Sequence, residues 1–200
     1  REGKTSQQIA VLSQLSEAYS ALGRYWQAVK TLEAALELAQ KSQDAARMPS
    51  LLALLGNAHI AIGPPETAQD YLRRALAMAR ERGDSVLAAG ILNNLGNLYT
   101  TQKKYPEAIA AYKEAVVLAK AADRRILAAR ALANAAAAHR WRGEARESRA
   151  QLDLALDELR GATPSQETAF ALINIGLGYR DLRPSLPDAS APLLLRAAAV

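Results

Sequence analysis

Five ring-bearing residues stand 40 positions apart: Tyr19, His59, Tyr99, His139 and Tyr179. Four residues before each ring come Leu15, Leu55, Leu95, Ala135 and Ile175, and the next position is always small: Ser16, Gly56, Gly96, Ala136 and Gly176. Leu12, Leu52, Leu92, Leu132 and Leu172 precede the rings by seven. Downstream, Ala28, Ala68, Ala108 and Ser148 keep the period, as do Leu32, Leu72, Tyr112 and Leu152, and then Ala35, Ala75, Ala115 and Ala155. A fixed period of this size marks an array of small units, each of which buries its apolar face only against its neighbours.

Within a unit the apolar residues recur at steps of three and four, as in Leu92, Leu95, Tyr99 and then Ile109, Tyr112, Ala115, which is helical spacing. Short breaks at Gly23-Arg-Tyr, Gly63-Pro-Pro, Lys103-Lys-Tyr-Pro and Gly143-Glu divide each unit into two helices. Pro65 and Pro106 fall where a second helix starts, a place where the missing N–H costs nothing. Thr163-Pro164-Ser165-Gln166 reads as an N-cap, a first-turn proline and a reciprocal capping glutamine. The chain carries 44 alanines and few β-branched residues, so no strand competes. Gly56, Gly96 and Gly176 serve packing, because two helices of a hairpin approach closely only where one contributes almost no side chain, and the matching Ala28, Ala68 and Ala108 are small too. The expected architecture is an all-α solenoid of helical hairpins. Its five units are bounded at about 5–44, 45–84, 85–124, 125–164 and 165–200 and form a single domain.

Composition narrows the chemistry. The chain has no cysteine and two histidines, which removes thiol catalysis and cysteine-ligated metal and leaves little for acid–base work. No run approaches the roughly 18 apolar residues of a membrane span, and no signal peptide is visible, so a cytoplasmic location is expected. The net charge of +5 is spread along the chain, whereas nucleic-acid binders concentrate theirs in a stripe or tail; the densest stretch, Arg140 to Arg149, is diluted by two glutamates.

Leucine, small residue and aromatic, followed by alanine, aromatic or leucine, and alanine, is an order that resembles the tetratricopeptide repeat. The usual unit is about 34 residues; the 40-residue unit here resembles the longer repeats of kinesin light chains, of spindle-orientation G-protein modulators, and of bacterial regions attached to caspase-like HetF-associated domains. Leu54-Leu-Gly-Asn-Ala and Asn94-Leu-Gly-Asn-Leu are most similar to the second group, while the alanine and arginine bias fits a bacterial source. The resemblance implies a right-handed α-solenoid. The fourth unit departs from the pattern at Ala135, Ala136 and Ser148. In the fifth, Arg183-Pro-Ser-Leu-Pro-Asp fills the turn and the second helix resumes late, at Ala191, Leu195 and Ala198. The apolar end at Leu193 to Val200 lacks the polar face of a terminal repeat, so the chain is expected to be a piece of a longer protein and able to self-associate through that helix.

The first helix of each hairpin is expected to line a concave groove. Its candidate positions are Asn57 in the second unit, Asn93, Asn94 and Asn97 in the third, Arg130, Asn134, Arg140 and Trp141 in the fourth, and Asn174 and Arg180 in the fifth. Asparagine is a middling-to-poor helix former, and three in one helix point to work on the surface. Its amide both donates and accepts, which suits it to grip an extended peptide. The resemblance carries that role to Asn57, Asn94, Asn97, Asn134 and Asn174; the alternative is a solvated face with amide bonds between helices. Arg130, Arg140 and Arg180 add charge for an acidic peptide or a free C-terminus. Ala10, Ser13 and Ser50 replace the basic residues of chaperone-tail clamps, which argues against that partner. Trp141 reads as an anchor or as packing at a degenerate repeat. His59 and His139 replace a core tyrosine, and no phosphate loop, HExxH or nucleophile elbow occurs. The expected function is therefore non-catalytic and without cofactor or metal: a scaffold that binds a protein segment in its groove. The alternative is a regulatory or sensor arm for a C-terminal effector, either a caspase-like protease or a transcription regulator.

Overall fold

A computed structural model describes residues 2–182, with side chains from residue 4 onward. Among the described residues there are nine helices and no strand. They are α1 (Glu2–Ala21), α2 (Tyr25–Lys41), α3 (Met48–Ile62), α4 (Pro65–Glu81), α5 (Ser85–Thr101), α6 (Tyr105–Ala121), α7 (Arg125–Trp141), α8 (Ala145–Glu158) and α9 (Gln166–Leu182). The second helices begin at Tyr25, Pro65, Tyr105 and Ala145, in step with the 40-residue period. The segment expected to form the last helix, with Ala191, Leu195 and Ala198, lies outside the described residues.

The turns repeat every 20 residues. Gly23, Gln43, Gly83, Lys103, Asp123 and Gly143 all adopt left-handed backbone, with φ between 53° and 80°. At each, the next amide reaches back five residues to close the helix end: Arg24 N donates to Tyr19 O at 2.8 Å, Lys104 N to Tyr99 O at 2.8 Å, and Glu144 N to His139 O at 3.0 Å. This bond pattern satisfies carbonyls that a helix C-terminus leaves open. Gly63 departs from the series with extended backbone, and Pro64 and Pro65 follow it into α4. At α9 the cap differs from the sequence expectation. Ser165 Oγ, not Thr163, accepts the Thr168 amide at 3.1 Å, so Pro164 precedes the cap instead of entering the first turn.

The chain packs as two compact units, Arg1–Asn94 and Leu95–Val200, with the boundary inside α5. In the first, α1 packs on α2, α2 on α3 and α3 on α4. Its core joins Ile9, Ala28, Leu32, Ala35 and Ala39 to Leu51, Leu55 and Ala58. Each fully buried leucine contributes about 1.5–3 kcal/mol. Gly56 opens room for Leu72: a Cβ there would stand 2.6 Å from the leucine Cγ. Leu15 is the exception to the periodic core. It is 41% exposed, because among the described residues no second helix precedes α1 to cover the position that α2 covers at Leu55.

In the second unit, α6 packs on α7, α7 on α8, and α9 on both α7 and α8. The core runs through Ala129, Leu132, Leu152, Ala155, Leu172, Ile175 and Tyr179. Ser148, where the other units have alanine, is fully buried and donates to the Ala136 carbonyl at 2.8 Å. A buried hydroxyl with that partner costs little, so the fourth unit keeps its close contact despite the changed residue. Gly178 performs the close approach of α9 to α8, since a Cβ there would stand 2.8 Å from Leu152.

Candidate functional site

Ring residues of both helices of the hairpins show how hydroxyls and imidazoles are accommodated. Tyr112, fitted against Gly96, donates its hydroxyl to Asn97 Oδ1 at 2.8 Å and lies 3.2 Å from Thr100 Oγ1. Burial pushes its phenol up to about 12, against the smaller opposite effect of the Thr100 hydrogen bond. Tyr179 donates to the Asp153 carboxylate, and burial first, then that hydrogen bond, raises its phenol well above the ordinary value. His59 stacks on Tyr71, with ring centroids 5.5 Å apart. Its Nδ1 is buried without a hydrogen-bond partner, and burial lowers its basicity, with Glu33 opposing. His139 Nδ1 lies 2.7 Å from Glu144 Oε2.

The expected groove residues divide into two groups. Asn57 is exposed on α3, Asn94 is half-buried, and Asn93 is only 3% exposed. Asn93 therefore does not present its amide on an open surface as expected; its stretch of α5 is covered by packing. These three belong to the first unit. In the second unit, Asn97 spends its carbonyl oxygen internally, on Tyr112 and on Asn134 Nδ2 at 3.3 Å. That is the amide bond between helices that the sequence left as the alternative.

Asn134, Arg140 and Asn174 come together. They line a cavity of about 250 Å³ between α7 and α9, floored by Ala133, Ala136 and Ala137 and bounded by Leu177 and Gly178. The volume is below the 300–1,000 Å³ range of drug-sized pockets and suits a single residue of a bound chain. Arg130 and Arg180 are exposed outside it, and Trp141 is 59% exposed. The indole has a definite neighbour, for the Arg140 guanidinium lies 4.9 Å from its ring centroid, where the ring quadrupole attracts a cation.

Asp181 completes the site and escaped the sequence reading. Its Oδ2 lies 3.3 Å from Arg140 Nη2, while its Oδ1 accepts from Arg180 Nη2 at 3.0 Å and Nε at 3.2 Å. The available signal was its spacing: Asp181 follows Asn174 by seven residues, two helical turns along the same face. Chemically, the cavity offers side-chain amides, one guanidinium and one carboxylate over an apolar floor. Among the described residues no helix is long and apolar enough to cross a membrane.

No curated protein sequence matches the chain. Among solved structures, BtubC (BKLC) from P. vanneervenii aligns over 98% of this chain and 90% of its own, at 19% identity and a TM-score of 0.62. A Podosopora anserina kinesin light chain with nearly identical TPR-like repeats aligns over 96% and 93%, at 16% identity and 0.69. A signal transduction ATPase with a tetratricopeptide repeat sensor, from Pyrococcus horikoshii, is covered over 32% of its length by 94% of this chain, at 18% identity and 0.66. At such identities the likeness is one of fold. Two family models, both described as tetratricopeptide repeat, match residues 11–46 and 44–121. Together with the hairpin packing and the glycine contacts, these matches place the chain in the tetratricopeptide-repeat family.

Proposed function

We propose that this chain is a non-catalytic scaffold that holds an extended peptide or partner segment on the first helices of its hairpins. Tetratricopeptide repeats generally serve as protein–protein interaction scaffolds. The observation that carries the finer reading is the meeting of Asn134, Asn174 and Arg140 around one cavity of residue size. Two amides there can bond to peptide main chain, at roughly 0.5–1.5 kcal/mol per hydrogen bond. Packed helices hold them in place beforehand, which lowers the ordering cost of association. Arg130 and Arg140 favour a partner with acidic groups, because α7 carries no acidic residue of its own.

The test is capture of peptides from a displayed random library by wild type and by an Asn134→Ala/Asn174→Ala variant. Wild type should enrich a peptide family that the variant fails to hold while melting at nearly the same temperature. Equal enrichment by both proteins would remove the cavity as the site.

A second reading makes the chain the sensor arm of a larger regulator with an attached effector. The Pyrococcus horikoshii protein supports it, since a tetratricopeptide repeat sensor there occupies part of a longer signalling ATPase. The sequence of the complete polypeptide would separate the two readings.

A further inference from the structure

We infer that Asp181 is an internal competitor for the basic site of the α7–α9 cavity, which admits a ligand carboxylate only by displacing it. The inference rests on the peptide-holding reading and adds how that site is regulated. Asp181 is a carboxylate already seated between two guanidiniums, with one oxygen facing Arg140 and the other held by Arg180. The structure therefore displays the chemistry the cluster recognises, with one of the chain's own residues in the ligand's place. The pairing is adjustable: the Arg140 and Asp181 side chains are only 30% and 31% exposed, yet their separation of 3.3 Å is looser than a short charge-assisted bond.

Charge counting shows why a competitor leaves the site usable. Two guanidiniums face one carboxylate, so the cluster keeps a surplus positive charge for a second anion. Arg140 lines the cavity and is braced by Trp141, so it stays in position when Asp181 moves away. Arg180, with a 57% exposed side chain, can keep Asp181 in its displaced position. A partner with one isolated carboxylate then gains little, because it exchanges one ion pair for another. A partner that also fills the cavity and meets Asn134 and Asn174 gains the difference, so the device discriminates against merely acidic chains.

The experiment uses the full chain labelled with nitrogen-15 and three small probes. Acetyl-glutamate N-methylamide carries a side-chain carboxylate, acetyl-alanine a chain-terminal one, and acetyl-glutamine N-methylamide none. The Arg140 Nε–H and Asn174 amide signals report binding. Asp181→Asn preserves shape and removes the charge; it should lower the Kd for a carboxylate probe about fivefold to tenfold and leave the glutamine probe unchanged. Arg180→Gln should act in the opposite direction, because it leaves Asp181 wholly to Arg140. The carboxylate probe with the larger gain identifies whether a side chain or a chain terminus is read. Equal carboxylate affinity in wild type and Asp181→Asn, or an equal gain for the glutamine probe, overturns the inference. If peptide capture still depends on Asn134 and Asn174 in that event, the scaffold reading stands and only the role of Asp181 falls.

Discussion

Gly96 and Tyr112 meet so closely that a Cβ on the glycine would stand 2.4 Å from Cε1 of the tyrosine ring. The contact joins α5 to α6 within one hairpin, and the tyrosine hydroxyl continues from it to Asn97, one residue along. Packing and polar bonding are therefore coupled at this point. The close packing alone, without a polar bond, links Gly56 with Leu72 in the hairpin before.

Gly96→Ala should destabilise the chain by about 1–3 kcal/mol, because the ring must shift and cannot do so without straining its hydroxyl bonds. The urea midpoint is the readout, and Tyr112→Ala should make the glycine substitution nearly neutral by emptying the space. An unchanged midpoint for Gly96→Ala alone would refute the close contact.

Two other glycines should respond in opposite directions. Gly90 lies within α5, and an added Cβ meets nothing within 4 Å. Gly90→Ala should raise stability by about 0.5–1 kcal/mol through a less flexible unfolded chain and better helix propensity. Gly143 also has open space around its Cβ position, but its φ is +80°. Gly143→Ala should cost about 1–2 kcal/mol from backbone strain alone. Parallel thermal melts of the two variants test the pair.

His59 should make stability fall on the acid side. Burial lowers its folded-state basicity below the unfolded value of 6.5, so the unfolded chain binds the proton first. The stability it contributes is present above about pH 6.5 and is lost as pH falls through the lower folded value. His59→Phe keeps a ring against Tyr71 and should flatten that part of the melting profile between pH 7 and 5. A profile with the same slope in both proteins would assign the acid sensitivity to other groups.

Much of the fold was legible because its determinants are local or strictly periodic. The positions of Leu55, Gly56, Leu72 and Ala75 recur every 40 residues, so each hairpin states the same rule again. The register of the second helices follows from those positions, as Pro65 and Tyr105 show. Site residues were read less well. Asn134, Arg140 and Asn174 meet at one cavity, but Asn93, on the same expected stripe, is buried. Helical spacing assigns a residue to a face; it does not say how far the neighbouring helix extends over that face. The α9 cap was missed by two residues because Thr163 and Ser165 both have a hydroxyl suited to it, and only the path of the chain selects Ser165.

The sequence alone determined the helical hairpins, their 40-residue period and the close approach of paired helices at Gly56 and Gly96, since these depend on residues close in the chain and on repetition. Tertiary structure decided which polar groups share a site. Arg140 and Asp181 are 41 residues apart on different helices, and nothing in their local surroundings marks them as partners. They meet because α9 packs on α7 across a cavity lined by small alanines, and side-chain charges pair according to that packing rather than to their order in the chain.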